Sequence, residues 1–254
     1  MEEQLLKIFE GNSELFITTS STGEVDERGK VQVETFTVHE PVTLKLWKDH
    51  LDGKQRIGIK PEKDDLCKWG CIDIDPQSYK DYSQKKVIDI LRDNQLPLIP
   101  VRSKSGGLHL FLFLNDWSPV KDVLKKLHEW NKNFFQALEV FPMNKCMNMP
   151  YFNMNATTEF AYNENNTPIM IGGFLDLVKN KTVTIEQLSN IKVKEYEPEE
   201  DWKHYPPCIQ KMIMDKWSGN HRNDLLYNVG VLEMKKRDGK INIEEMTNIL
   251  AQRN

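Results

Sequence analysis

Between Trp69 and Phe141 the apolar residues switch repeatedly between strand-like and helix-like spacing, and this alternation constrains the fold more than any other feature of the chain. Trp69-Gly-Cys-Ile-Asp-Ile-Asp75 reads as a strand, and Tyr82 to Asn94 as a helix with Val87, Ile90 and Leu91 on one face. Leu96 to Val101 reads as a second strand, whose Pro97 and Pro100 point to a sheet edge or to the strand's ends. Ser103-Lys-Ser-Gly-Gly107 is a turn and Leu108 to Leu114 a third strand. Ser118 to Leu138 predicts a long helix, with Ser118 as N-cap and Pro119 in the first helical position, and Glu139-Val-Phe141 is a short fourth strand. The order β-α-β-β-α-β belongs to the α+β class and matches the split βαβ, ferredoxin-like arrangement. Right-handed crossovers then set the first and third strands side by side, antiparallel, with the fourth on the other side of the first. The end of the first strand and the beginnings of the third and fourth share one sheet edge, which gathers Asp73, Asp75, His109 and Glu139 from distant stretches of sequence.

The flanking segments are less regular. Leu15 to Ser20 and Val31 to Val38 read as strands around a turn at Gly23 and Gly29. Thr43 to Leu51 predicts a helix burying Leu44, Trp47 and Leu51 and stopped by Gly53, followed by a strand at Arg56 to Ile59. Beyond Phe152 come a polar stretch, a strand-like Ile169 to Ile171, a helix at Phe174 to Val178 and a capping-box pattern, Thr184-Ile-Glu-Gln187. Residues 193–201 are charged and apolar-poor, a linker between a domain at 1–192 and a small helical module at 202–254. The last helical pattern meets no stop signal, so the chain is expected to be an excerpt of a longer protein.

With 254 residues, 39% of them hydrophobic, the chain can bury a large core. Its formal net charge of -4 excludes a polybasic protein that coats nucleic acid, so any such contact is local. No apolar run approaches the ~18 residues of a membrane span, and the start lacks a signal-peptide pattern, which predicts a soluble, cytoplasmic protein with no membrane partner. Cys67 and Cys71 have the spacing to open a zinc site, but no pair follows to close it, and two ordinary buried thiols are expected.

Two constellations carry chemistry. Asp73-Ile-Asp75 places two carboxylates on the same side of a strand exit, where like charges raise each other's pKa unless a cation neutralises them. Oxygen donors of this kind suit Mg²⁺ or Mn²⁺, although an isolated Asp-x-Asp is a weak signal. In Arg102-Ser-Lys-Ser-Gly-Gly-Leu-His109, Gly106 and Gly107 let backbone N–H groups approach an anion, Ser105 donates a hydrogen bond, and Arg102 and Lys104 bring positive charge, the donor set a triphosphate needs. The alternative is an ordinary hairpin with solvated basic residues. Glu139 is either a surface acid or a third metal ligand. Asn148 and Tyr151 either touch a sugar or base or end a packed strand.

In this order the motifs resemble the archaeo-eukaryotic primase superfamily, and most nearly the primase-polymerase domains of bacteriophages and conflict systems. The resemblance rests on Leu46-Trp47 with His50-Leu51, Gly53 and Gly58-Ile59, Ile72-Asp-Ile-Asp75, Leu96-Pro-Leu98, Arg102 to Leu110 with Phe113-Leu114, Glu139-Val-Phe-Pro142 and Asn148-Met-Pro-Tyr-Phe152. Pro206-Pro-Cys-Ile209 and Gly219-Asn-His-Arg-Asn223 are similar to the helical module that follows many such domains. Met143-Asn144 departs from the Lys-Gln expected after Phe-Pro.

The resemblance implies an RRM-like core that makes and extends primers on single-stranded DNA. Asp73, Asp75 and Glu139 would hold Mg²⁺ or Mn²⁺, and Arg102, Lys104, Ser105, Gly106, Gly107 and His109 would bind the NTP or dNTP. Arg222 would hold a second triphosphate at initiation, and a fused or associated helicase is a further expected partner. The competing readings are a metal-dependent glycosyltransferase using a nucleotide-sugar and a degenerate, non-catalytic module that binds single-stranded DNA.

Overall fold

The structure is a computed structural model that describes residues 1–25, 31–76, 82–135, 137, 139–193, 210, 227–231 and 234. The chain divides into two units, Met1–Glu195 and Tyr196–Asn254. Arg222, and almost all of the segments assigned above to a linker and a helical module, lie outside the described residues.

The alternating segments form β5 (Leu66–Ile74), α3 (Gln84–Asp93), β6 (Leu98–Arg102), β7 (Leu108–Pro119), α4 (Val120–Trp130) and β8 (Glu139–Phe141). β8 pairs with β5, β5 with β7 and β7 with β6, all antiparallel, which is the RRM-like, split βαβ order. Short strands extend the sheet: β4 (Glu62–Lys63) lies on β5, β10 (Ala161–Tyr162) on β6, and β11 (Pro168–Ile169) on β10. A second sheet has the order β2-β1-β3-β9, built from β1 (Phe16–Val25), β2 (Val31–Val38), β3 (Arg56–Ile59) and β9 (Met147–Asn148). The helices α1 (Glu2–Ile8), α2 (Leu44–Leu51), α5 (Ile171–Lys181) and α6 (Ile185–Asn190) complete the first unit.

Period-two alternation gives the main sheet two apolar faces. Ile72, Ile74, Leu98, Leu108, Leu110 and Leu112 pack against Val87, Ile88 and Leu91 of α3 and Val123, Leu127 and Trp130 of α4. Trp69, Cys71, Ile99, Val101, Phe111 and Phe113 face the other way, into a core shared with the second sheet and with α1, α2 and α5. Phe9 sits at the centre of that core, with the rings of Trp47, Trp69, Phe111, Phe113 and Phe174 all between 5.3 and 6.1 Å away.

Several expectations need correction. Ser118 and Pro119 do not open the second long helix. They remain in the ladder of β7, opposite Cys67 and Leu66, and α4 starts at Val120, whose N–H donates to the Asp65 carbonyl. That helix also ends early, at Trp130, and a π-helical turn follows at Asn131–Phe135. The Asn131 amide bonds both the N–H and the carbonyl of Ala137, fixing the chain where it turns into β8. β6 is an inner strand rather than an edge, since Ala161 pairs with Val101 on the side away from β7; Pro97 falls just before the strand, while Pro100 lies within it. Leu44 is exposed, and α2 buries Trp47, His50 and Leu51 instead. In α3 it is Ile88, rather than Ile90, that is buried with Val87 and Leu91. Ile171 opens α5 rather than ending a strand. The capping box holds, with Thr184 and Gln187 bonded reciprocally, and Thr43 caps α2 through the Leu46 N–H.

Candidate active site

Across the main sheet Phe141, Cys71, Phe111 and Ile99 stand side by side, and two residues further along the strands the next row on the same face is Glu139, Asp73, His109 and Val101. The second row is where the apolar core ends. Cross-strand neighbours lie about 5 Å apart at Cβ, so Asp73 stands between a carboxylate and an imidazole, with Asp75 just beyond the strand end. The topology therefore assembles the four residues that the sequence placed at one edge.

Asp73 is 27% exposed, and its pKa is pushed up to about 6 by burial first and then by the negative charges of Glu139 and Asp75. His109 Nε2 lies 3.5 Å from Asp73 Oδ1, and burial pushes the imidazole down to about 4, so it is neutral at pH 7. Glu139 Oε1 accepts a hydrogen bond from Lys145 Nζ at 2.8 Å. The donor set is all carboxylate oxygen, and its mutual repulsion is the kind a divalent cation relieves. As the side chains stand, however, no three His, Cys, Asp or Glu groups among the described residues converge enough to hold an ion.

The Ser103–Gly107 turn closes against this edge. Ser103 N–H donates to the Gly107 carbonyl at 2.9 Å and Gly106 N–H to the Ser103 carbonyl at 3.1 Å. Gly106 has φ +90°, a conformation that side chains disfavour. Gly107 answers a different need, since a Cβ there would stand 2.1 Å from the Ile74 carbonyl and 2.7 Å from Pro76. The paired glycines thus press the turn onto the strand end that carries Asp73 and Asp75. Lys104 and Ser105 are exposed on the turn, and the Ser105 hydroxyl shares a 3.0 Å hydrogen bond with Ser103. Arg102 is separate from the acid row: alternation along β6 puts it on the other face from Val101, and its guanidinium donates to the Thr158 carbonyl at 3.0 Å.

Residues 15–140 match the profile of the archaeo-eukaryotic primase domain of TOTE conflict systems. This span belongs to the archaeo-eukaryotic primase superfamily. No curated protein matches the chain. Among solved structures, the crystal structure of primase RepB' aligns with a TM-score of 0.34 and 11% identity, covering 99% of this chain and 85% of that one.

Other motif residues of the primase domain and its flank hold the scaffold. His50 is fully buried, accepting from Ile57 N–H at Nδ1 and donating from Nε2 to the Pro150 carbonyl. A side chain on Gly58 would meet Ile17 at 2.6 Å. Tyr151 is packed, its hydroxyl donating to the Ile169 carbonyl and accepting from Ala161 N–H, so it is not presented to a base. Asn148 keeps a buried Oδ1 without a partner. Cys67 and Cys71 are buried free thiols, both raised in pKa chiefly by burial.

Sequence reasoning missed two contacts. Lys145 on Glu139 gives no signal, because one lysine in a turn is unremarked. Arg56 forms a buried bidentate pair with Glu159, at 2.5 and 2.8 Å, and stacks on Phe152 with 4.2 Å to the ring centroid. An arginine in the apolar run Arg-Ile-Gly-Ile was a readable sign that a buried partner existed.

Proposed function

We propose that this primase domain is a template-dependent DNA primase and polymerase, which joins nucleotides on single-stranded DNA by metal-dependent nucleotidyl transfer. The observation that supports it most is the register that sets Glu139, Asp73 and His109 in one row beside the Ser103–Gly107 turn. Asp73, Asp75 and Glu139 would hold Mg²⁺ or Mn²⁺, which when bound activates a 3′-hydroxyl and stabilises the departing pyrophosphate. Neutral His109 offers an N–H to a phosphate oxygen while adding no charge of its own. Lys104 and Ser105 face solvent on the turn, where an incoming NTP or dNTP meets an ammonium and a hydroxyl. Arg102 is engaged on the other face, where it donates to the Thr158 carbonyl. With a net charge of -4, template binding depends on a local groove rather than on overall attraction.

Incubation with single-stranded DNA, Mg²⁺ or Mn²⁺ and labelled nucleotides tests this reading. Template-dependent products that disappear in Asp73→Ala and Asp75→Ala are expected. Wild-type synthesis by either variant refutes the site, DNA binding without product favours the non-catalytic module, and release of sugar from a UDP-sugar favours the transferase. Truncation near residue 192, or Arg222→Ala, should abolish primer initiation and leave extension of an annealed primer intact, if the helical module holds the initiating triphosphate.

A further inference from the structure

Glu139 reaches the shared sheet edge yet is engaged by Lys145 at 2.8 Å, while Asp73 lies 3.5 Å from His109. Glu139 thus meets an ammonium and Asp73 an imidazole, although the two acids are cross-strand partners. The Lys145–Glu139 pair is open to water, with side chains 59% and 39% exposed, so it can break at little cost. Lys145 nonetheless cannot wander: its turn is pinned by a 2.7 Å bond from Lys60 Nζ to Asn144 Oδ1 and by the pairing of β9 with β3 that follows.

We propose that Lys145 is a positioning residue, the resident counter-cation of Glu139 in the metal-free site, and that a divalent cation must displace it before Glu139 joins Asp73 and Asp75. The inference rests on the primase-type metal reading above. An ammonium balances one carboxylate through one oxygen, whereas Mg²⁺ or Mn²⁺ gathers oxygens from several acids at once, so the exchange favours the metal only when all three acids contribute. Lys145 thereby holds Glu139 apart from the other acids until the cation arrives.

The test is a Mn²⁺ titration of the full chain followed by electron paramagnetic resonance. Removing the competitor in Lys145→Met should tighten Mn²⁺ binding about two- to fivefold, the span expected from an exposed ion pair, and Lys145→Arg should restore wild-type affinity. Lys63→Met removes the same charge from exposed β4, which pairs at the end of β5 remote from Asp73 and leaves the Lys145 turn untouched, and should shift the affinity less. Unchanged or weaker binding in Lys145→Met, or an equal shift in Lys63→Met, overturns the inference. Asp73→Ala keeps the two failures apart. If it loses Mn²⁺ while Lys145→Met changes nothing, this inference alone falls. If it binds Mn²⁺ like the wild type, the metal-site reading falls, and the inference with it.

Discussion

Replacing Asp73 by Asn should make the protein more stable and inactive, and the pH dependence of the gain identifies its cause. Asp73 is held at about pKa 6 against an ordinary 3.8, by burial and by the charges of Glu139 and Asp75. Below pH 3.8 the acid is protonated whether the chain is folded or not, and contributes no difference. Between 3.8 and 6 the unfolded chain releases the proton while the folded one keeps it, so stability falls as pH rises. Above 6 the full cost is present. At 1.36 kcal/mol per pH unit the gap corresponds to about 3 kcal/mol, which the 27% exposure of the side chain reduces to about 2 kcal/mol. Asn has nearly the shape of the neutral acid and carries no charge, so Asp73→Asn should gain that amount at pH 7 to 8, or roughly 4–8 °C in Tm for a chain of this size. Denaturant unfolding of both proteins in chelator, from pH 4 to 8, measures the difference directly. A variant no more stable than wild type at pH 8, or a gain that persists undiminished at pH 4, refutes the reasoning. Saturating Mn²⁺ should narrow the gap, because only the wild type then neutralises its carboxylate with a bound cation.

Three further outcomes follow from the same geometry. Glu159→Ala strands Arg56 in a buried site without its partner and should cost about 3–5 kcal/mol in denaturant unfolding; a loss below 1 kcal/mol speaks against the buried pair. His50 is held at about pKa 4 by burial, so it stays neutral in the fold while the unfolded chain takes up a proton below 6.5. Its contribution is complete above 6.5 and is lost as pH falls towards 4, a decline of about 3 kcal/mol, and an NMR titration of the imidazole near 6.5 contradicts this. Ser105→Ala and His109→Ala should raise the KM for nucleotide, or weaken a non-hydrolysable triphosphate, with template affinity nearly unchanged; an equal loss of DNA binding places the turn on the template instead.

The central fold was legible because the segments from Trp69 to Phe141 differ in period, and because βαβ handedness leaves few ways to order them. The same handedness brings Asp73, His109 and Glu139 to one row. It failed where a local signal competed with a distant one. Ser118-Pro119 has the form of a helix start, but pairing with Leu66 and Cys67 keeps both residues in the sheet. α1 is a seven-residue helix, too short to announce itself, although Phe9 at its end organises the aromatic core. The Arg56–Glu159 pair joins residues 103 apart in sequence, so composition could suggest that a partner existed without naming it. The close approach of Gly107 to Ile74 is a packing requirement with no sequence signal, because it appears only once the sheet edge exists.

The position of the acid row follows from the apolar row behind it. Phe141, Cys71, Phe111 and Ile99 are buried in the core around Phe9, and each large side chain placed there contributes about 1.5–3 kcal/mol. A slip of one residue of β5 against β7 would turn Asp73 towards α3 and α4 and bring Ile72 and Ile74 to the opposite face. That alternative forfeits the aromatic core and buries a carboxylate among aliphatic side chains, so the register is fixed by packing that takes no part in chemistry. The same packing makes Asp73 costly, because a group one pleat beyond a closed core is already partly shielded from water. The arrangement that raises its pKa is thus the one that holds it in place to receive a cation, and stability lost at Asp73 is the expected consequence of locating a carboxylate by core register.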